Sequence, residues 1–193
     1  MRKASSRELL MLLVVAVIAL GLGFPRWTSA NLITNGGFEA GDFTGWALSG
    51  NVSGSTLVAP IAAHTPNFGA LLGAIGSLNF LSQTLTTVPG TAYEVTFWQL
   101  FDGGLPNEFS VSWAGAVLSG LVNHTATPYT QYTFHVVAPG PSTVLQFGSR
   151  DDPGFLRLDD VAVNSVPEPG TLLLLVSSLA GLWGITWRRQ DRR

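Results

Sequence analysis

Residues 93–100 read YEVTFWQL and residues 109–113 read FSVSW, and these two stretches decide the fold. Successive side chains of a β-strand point to opposite faces, so a period of two places one set of residues in the core. Strands with this pattern are typical of antiparallel sheets that have one wet face. The residues predicted to share the apolar faces are Tyr93, Val95, Phe97, Phe109, Val111 and Trp113.

The rest of the central region predicts more strands of the same kind. Glycine and proline separate short runs that are rich in β-branched and aromatic residues. No apolar pattern of period 3.6 extends beyond about ten residues, so a two-sheet antiparallel sandwich is favoured over an α/β architecture. The further predicted strands are residues 132–137, 144–147 and 156–163, with weaker candidates at 31–34, 56–59, 70–75 and 82–86.

Residues 1–30 have the pattern of a signal peptide. Arg2, Lys3 and Arg7 precede an apolar run over residues 9–22, and small residues lead up to Ala30. The pattern predicts a signal helix that signal peptidase removes by cleaving after Ala30. An uncleaved N-terminal anchor is the alternative.

The C-terminal stretch, residues 166–193, reads VPEPGTLLLLVSSLAGLWGITWRRQDRR. Residues 170–187 carry no charge and would form a helix of about 27 Å, close to the thickness of a bilayer core. We therefore predict a transmembrane helix over 170–187 and a basic tail over 188–193. Arg188 and Arg189 would flank the membrane on the cytoplasmic side, which places the preceding domain outside the inner membrane.

The same stretch resembles the PEP-CTERM sorting signal of Gram-negative bacteria. The resemblance rests on Val166, Pro167, Glu168 and Pro169 over residues 166–169, followed by a short apolar span and terminal arginines. It implies processing by an exosortase-type membrane protease. The protein would be anchored in the membrane by its C-terminus before sorting and would then reach the cell surface or the extracellular space. An ordinary C-terminal anchor with an unrelated proline pair is the alternative.

Residues 31–165 would form one domain without cysteine, so disulfides cannot stabilise it. The domain has two arginines, no lysine and nine acidic residues, which gives a net charge of −7. Such a surface repels phosphate backbones and excludes nucleic acid as a partner, but it is compatible with divalent cations and neutral sugars. The histidines are isolated, and neither a Gly-x-Ser-x-Gly motif nor a phosphate-binding loop is present. We therefore predict no catalytic site.

Both ends of this domain resemble galactose-binding-like jelly rolls, which include carbohydrate-binding modules of xylanases and glucanases. The resemblance rests on NLITNGGFEAG at residues 31–41, on Trp46, and on LDDV at residues 158–161. It implies a jelly-roll sandwich. It also implies a structural calcium, with Glu39 and Asp160 as side-chain ligands.

A calcium site also has a physical basis in these residues. If the first and last strands are neighbours, Glu39, Asp159 and Asp160 converge on one corner, and three carboxylates repel one another unless a cation neutralises them. Calcium takes six to eight oxygen ligands of this kind. Which of the two aspartates faces the metal stays open. In the alternative, Glu39 caps a turn and the aspartates are solvated.

Sugar binding needs aromatic faces together with polar groups that orient hydroxyls. Trp98 is the first candidate, since it lies on the strand face opposite Val95 and Phe97; the alternative is that it packs under a loop. We predict a non-catalytic protein that binds the exopolysaccharide of its own cell. The alternatives are a structural envelope or biofilm protein that contacts other proteins and, last, a secreted hydrolase. The predicted ligand contacts are Trp98, Gln99, Phe101, Asp102 and Phe155.

Overall fold

The computed structural model describes residues 30–52 and 56–166. This part of the chain has ten β-strands and one short 3-10 helix, Pro60–Ala62, which confirms the all-β prediction. It contains no helix with the length and hydropathy of a membrane span. The predicted signal helix and transmembrane helix lie outside the described residues. The strands are β1 Ala47–Gly50, β2 Thr56–Ala59, β3 Gly69–Leu72, β4 Asn79–Thr86, β5 Ala92–Phe101, β6 Asn107–Trp113, β7 Ala116–Val122, β8 Thr127–Val137, β9 Ser142–Asp151 and β10 Leu156–Ser165.

The strands form two five-stranded antiparallel sheets. Sheet A has the order β1-β4-β9-β6-β7, and sheet B has the order β2-β3-β10-β5-β8. The two strands with the clearest alternation lie in different sheets, and each is flanked by two neighbours. They are β5 between β10 and β8, and β6 between β9 and β7. Their apolar faces form the two sides of the core.

Aromatic rings fill the space between the sheets. Phe97 of sheet B lies 5.9 Å from the ring of Phe109 and 5.1 Å from that of Phe147, both in sheet A. All three side chains are at most 1% exposed. Burial of each contributes roughly 1.5–3 kcal/mol, so this contact between the sheets is a main source of stability in a domain without disulfides.

The strand predictions contain two kinds of error: one predicted strand is not formed, and two observed strands were not predicted. Residues 31–34 do not form a strand, although Leu32 N–H donates to the Val163 carbonyl oxygen beside β10. Two strands, β1 and β7, were not predicted. They are the outer strands of sheet A and are largely exposed, so their sequences lack the apolar alternation that marks a buried face.

Strand β10 contains a bulge that positions the acidic residues. The register shifts between Asp159, opposite Trp98, and Ala162, opposite Thr96, so β10 has one extra residue there. Asp160 lies in this bulge with a positive φ of 51°. Because of the extra residue, Leu158, Val161 and Val163 all face the core, whereas uninterrupted alternation would place Asp159 on the same face as Val161.

Candidate functional site

The acidic corner, defined as Glu39, Asp159 and Asp160, gathers around Gly37. A Cβ atom at Gly37 would lie 3.6 Å from Asp160 Oδ1, 3.7 Å from Glu39 Cγ and 3.9 Å from Asp159 Oδ1. The segment before β1 therefore meets the bulge of β10. The three carboxylates predicted from the two ends of the domain lie together.

Asp159 and Asp160 hold a loop against sheet B. Asp159 Oδ2 accepts hydrogen bonds from the backbone N–H groups of His64 (2.6 Å) and Thr65 (3.1 Å). Asp160 Oδ2 lies 2.7 Å from His64 Nδ1, and the Thr65 hydroxyl also donates to the Asp160 carboxylate. Burial raises the pKa of Asp159 to about 6 despite the N–H groups that stabilise its anion.

Glu39 holds the same loop further along the chain. Its carboxylate accepts hydrogen bonds from the side-chain amide and the backbone N–H of Asn67 and from the backbone N–H of Phe68, each at 3.0 Å. These donors, the Asn67 amide first, lower the pKa of Glu39. The acidic corner therefore clamps residues 64–68 from both ends.

The acidic corner only partly fits a calcium ion. It supplies three carboxylates, the hard oxygen ligands that calcium prefers, but hydrogen-bond donors already engage each of them. No group of three or more His, Asp or Glu side chains within residues 30–52 and 56–166 is arranged to hold a metal ion. The calcium site stays a prediction.

Trp98 lies on the outer face of sheet B, as predicted, but one side of its ring is covered. The imidazole of His64 stacks on it with 4.1 Å between ring centroids and 19° between planes. The ring of Tyr129 lies 5.0 Å from His64, and its hydroxyl donates to the Ala62 carbonyl oxygen. Burial raises the pKa of Tyr129. Residues 60–68, the covering segment, thus pack over this face of the sheet.

The structure separates the other residues predicted to contact a ligand. Gln99 and Phe101 are fully buried in the core, so their assignment to a surface site is corrected. The reason is the strand period: residues 99 and 101 share the inward face of β5, opposite to Trp98. Asp102 and Phe155 do lie together, because Phe155 N–H donates to Asp102 Oδ2 at 2.6 Å. The Phe155 ring packs against Gly73.

The outer face of sheet A carries a row of residues that the sequence alone did not predict. Phe80, Gly148, Ser110 and Gly120 are paired in register across β4, β9, β6 and β7, and we call them the Phe80 row. A Cβ atom at Gly148 would lie 2.7 Å from Ser110 Oγ and 3.0 Å from Phe80 Cε1, so the phenyl ring leans over the glycine. The residues beside the row on this face are Ser82, Gln146, Ser112, Glu108 and Arg150.

One signal in the sequence could have found this row. In β4, Leu81, Gln83 and Leu85 are buried, so Phe80 occupies the outward phase of the alternation. An aromatic residue among outward-facing serines and threonines is uncommon on a wet strand face. The glycines opposite it could not be paired with it before the strand order was known.

The fold is shared with solved structures of other proteins. The chain is similar in structure to TmCBM61, solved with β-1,4-galactotriose, at 20% identity and a TM-score of 0.55 over 72% of this chain and 100% of that chain. It is also similar to the CBM22-1 xylan-binding domain of Xyn10C from Paenibacillus barcinonensis, at 20% identity and a TM-score of 0.52 over 73% and 97%. The fold is therefore that of galactose-binding-like jelly rolls found in carbohydrate-binding modules, as the sequence resemblance predicted.

The same fold occurs in proteins of other kinds. The K3 cleaved adhesin domain of Lys-gingipain from Porphyromonas gingivalis is similar at 19% identity and a TM-score of 0.53, over 70% of this chain and 98% of that chain. At such identities the likeness concerns the fold.

The C-terminal residues show a second similarity, which is to a known sorting motif. Residues 165–193 match the PEP-CTERM protein-sorting motif, which confirms the resemblance found in the sequence. No curated protein is similar enough in sequence to count as a match to this chain.

Proposed function

We propose that this protein is exported, sorted by an exosortase-type membrane protease, and displayed at the cell surface or in the extracellular matrix, where its sandwich binds polysaccharide without cleaving it. Two observations support the proposal: the sorting motif at residues 165–193 and a fold shared with modules described as xylan-binding and galactotriose-bound. In the same proposal, signal peptidase cleaves after Ala30. The predicted span at residues 170–187 anchors the protein before sorting.

The Phe80 row is the observation that carries the proposed binding site. It places one aromatic ring over Gly148 and in line with Ser110 and Gly120, and we infer that these small residues form a shallow trough across four strands. With about 4.8 Å between strands, the trough is about 14 Å long and suits several sugar units of a chain. The ring can stack on an apolar sugar face, and Ser110, Ser112 and Gln146 can bind hydroxyl groups.

The charges around the row favour a neutral polysaccharide. Arg150 is the only basic residue on the outer face of sheet A within the described residues, and it is paired with Asp152. Its positive charge is thus already engaged. Glu108 lies opposite Arg150 on the neighbouring strand, so the end of the row offers no free positive charge for an acidic sugar.

The side chains of the Phe80 row suit the binding of a sugar, but they include no groups that could cleave a glycosidic bond. A phenyl ring, serine hydroxyls and an amide contact sugars, whereas glycoside hydrolysis uses a pair of carboxyl groups flanking the scissile bond. We therefore place the protein among binding proteins rather than hydrolases.

Retention on polysaccharide gels tests this proposal. The purified chain should be slowed in native gels that contain xylan, β-1,4-galactan or another neutral polymer, and alginate should slow it less. Phe80→Ala should remove the retention. Thr84→Ala, an exposed position on the same strand outside the row, is the matched control and should be retained like the wild type. Migration unaffected by any neutral polymer would contradict the proposal.

A second function, assembly through protein contacts, has one supporting observation. Strand β8 is eleven residues long and pairs on one side only, with β5, among the described residues. Free strand edges are sites where another chain can add a strand. Concentration-dependent assembly without sugar would favour this function, and Thr133→Pro should abolish that assembly.

A further inference from the structure

Asp151, at the end of β9, is a buried carboxylate with no basic partner among the described residues. It is 0% exposed, and no hydrogen bond of normal geometry reaches either of its carboxylate oxygens from the described residues. Burying a charged group without hydrogen bonds or an opposite charge is costly, so buried carboxylates are normally paired or bind a metal ion. Some species is therefore expected to neutralise Asp151.

A second acidic side chain, that of Asp102, lies beside Asp151. Asp102 follows β5 and accepts hydrogen bonds from Gly104 N–H (2.9 Å) and Phe155 N–H (2.6 Å). Burial, followed by the charge of Asp102 and by the interaction of the two carboxyl groups as hydrogen-bond partners, raises the pKa of Asp151 to about 7, although the nearby Gly154 N–H lowers it. The two carboxylates face each other at one end of the sandwich.

Two glycines let these carboxylates approach the backbone. An added Cβ at Gly104 would lie less than 3.0 Å from Asp151 Oδ1, and one at Gly154 would lie less than 3.0 Å from both oxygens of Asp102. The loops after β5 and β9 thus enclose the pair of carboxylates from both sides.

No basic side chain of the described residues neutralises the pair. Arg150 is bound to Asp152, and Arg157 lies near Tyr129 on the outer face of sheet B. His124 is at this end of the sandwich, with its ring 4.5 Å from Phe101, but its Nδ1 is engaged with the Thr125 carbonyl oxygen. A proton or a cation from solution must balance the charge.

We propose that Asp102 and Asp151 bind a divalent cation of the calcium type, at a site distinct from the acidic corner. The side chains of Asp102 and Asp151 lie together, so two carboxyl groups are available to a hard cation that prefers oxygen. Water and backbone carbonyl oxygens complete the coordination. With two carboxylates the affinity is expected to be weak, with a Kd of roughly 10⁻⁴–10⁻³ M, as in extracellular modules.

Calcium stoichiometry tests this proposal. The full chain in a non-ionic detergent is dialysed to equilibrium against radioactive calcium at millimolar concentration. Asp151→Asn, which keeps the size of the side chain, should bind one calcium per chain fewer than the wild type. The charge-matched control is Glu94→Gln, on the outer face of sheet B, and it should bind as many as the wild type. Equal binding by wild type and Asp151→Asn overturns the proposal.

Calcium binding at Asp102 and Asp151 can be measured separately from binding at the acidic corner in a variant that lacks two carboxylates of the corner. In Glu39→Gln/Asp160→Asn the remaining calcium should be lost on adding Asp151→Asn, whatever the acidic corner binds. The competing outcome is that Asp102 and Asp151 share a proton and bind no cation. In that case Asp151→Asn would leave calcium binding unchanged, and the wild type, unlike the variant, would lose stability as the pH rises through 7.

A further test uses only the wild-type protein, so its result does not depend on whether a variant folds. In ¹H–¹⁵N spectra, calcium at millimolar concentration should shift the amide signals of Gly104 and Gly154, which adjoin the two carboxylates. Unmoved signals at both glycines would also overturn the proposal.

Discussion

The two outer faces of the sandwich differ in what lies above them. On sheet B the aromatic residue Trp98 is stacked under His64, and the covering segment is fixed there by the carboxylates of the acidic corner. On sheet A the ring of Phe80 leans over a glycine, and polar side chains surround it. Both rings occupy outward positions of their strands, yet only that of Phe80 lies in line with glycines on the neighbouring strands, which is where we propose the trough.

An outward position on a strand does not by itself make an aromatic residue a binding platform. The neighbouring strands and loops decide whether the ring is open. On sheet B, residues 60–68 fold back over the strand and use the tryptophan as a packing surface. On sheet A, Gly148 and Gly120 remove side chains beside the ring.

The largest expected effect is that of filling the trough at Gly148. Gly148→Leu should abolish retention on neutral polysaccharide gels and should lower the free energy of unfolding by about 1–3 kcal/mol, because the new side chain collides with Ser110 and Phe80. Gel retention and urea unfolding measure the two effects. Gly140→Leu is the control, since no atom lies within 4 Å of the position of its Cβ. If Gly148→Leu were retained like the wild type, the outer face of sheet A would not be the polysaccharide-binding site.

Truncation of the covered ring should affect stability and leave binding intact. Trp98→Ala removes the stacking with His64 and should cost about 1–3 kcal/mol of unfolding free energy, less than for a fully buried ring. Retention of the folded variant should equal that of the wild type. Thr96→Ala, a neighbouring outward position, controls for strand effects. If folded Trp98→Ala lost its retention, the binding face would be that of sheet B.

Removal of calcium should loosen the covered face more than the open one. If the acidic corner binds calcium, EDTA should lower the melting midpoint by several degrees, since binding to the native state alone stabilises it. Glu39→Gln/Asp160→Asn should lose most of this response, and Glu94→Gln should keep it. An equal melting midpoint with and without EDTA would contradict calcium binding at the acidic corner.

The smallest expected effect is at the far end of the trough. Gly120→Ala adds one methyl group where no atom lies within 4 Å, so stability should stay within about 0.5 kcal/mol. The methyl narrows the Phe80 row, and retention should weaken about two- to threefold. An affinity unchanged by Gly120→Ala would shorten the proposed site to the strands β4, β9 and β6.

The sequence predicted the core well because burial leaves a strong local pattern. Tyr93, Val95, Phe97 and Trp113 face inward as their alternation indicates. The outer strands β1 and β7 left no such pattern, since exposed residues are not selected by packing against a core.

The candidate sites depended on contacts between distant segments. The two ends of the domain carried enough residues to place Glu39 near Asp159 and Asp160. The bulge that turns the two aspartates could not be read from LDDV, because bulges depend on pairing with a neighbouring strand. Phe80 and Gly148 are paired only through the order of the strands, and the burial of Gln99 and Phe101 follows from the phase of β5.

The central claim is that the outer face of sheet A binds polysaccharide. The most direct measurement is a titration of ¹⁵N-labelled protein with an oligosaccharide of the polymer that retains it, followed in ¹H–¹⁵N spectra. The amide signals of Ser110, Gly120 and Gly148 should shift, while the signal of the Trp98 indole N–H should not move. Shifts at Trp98 and His64 with an unchanged Phe80 row would contradict it.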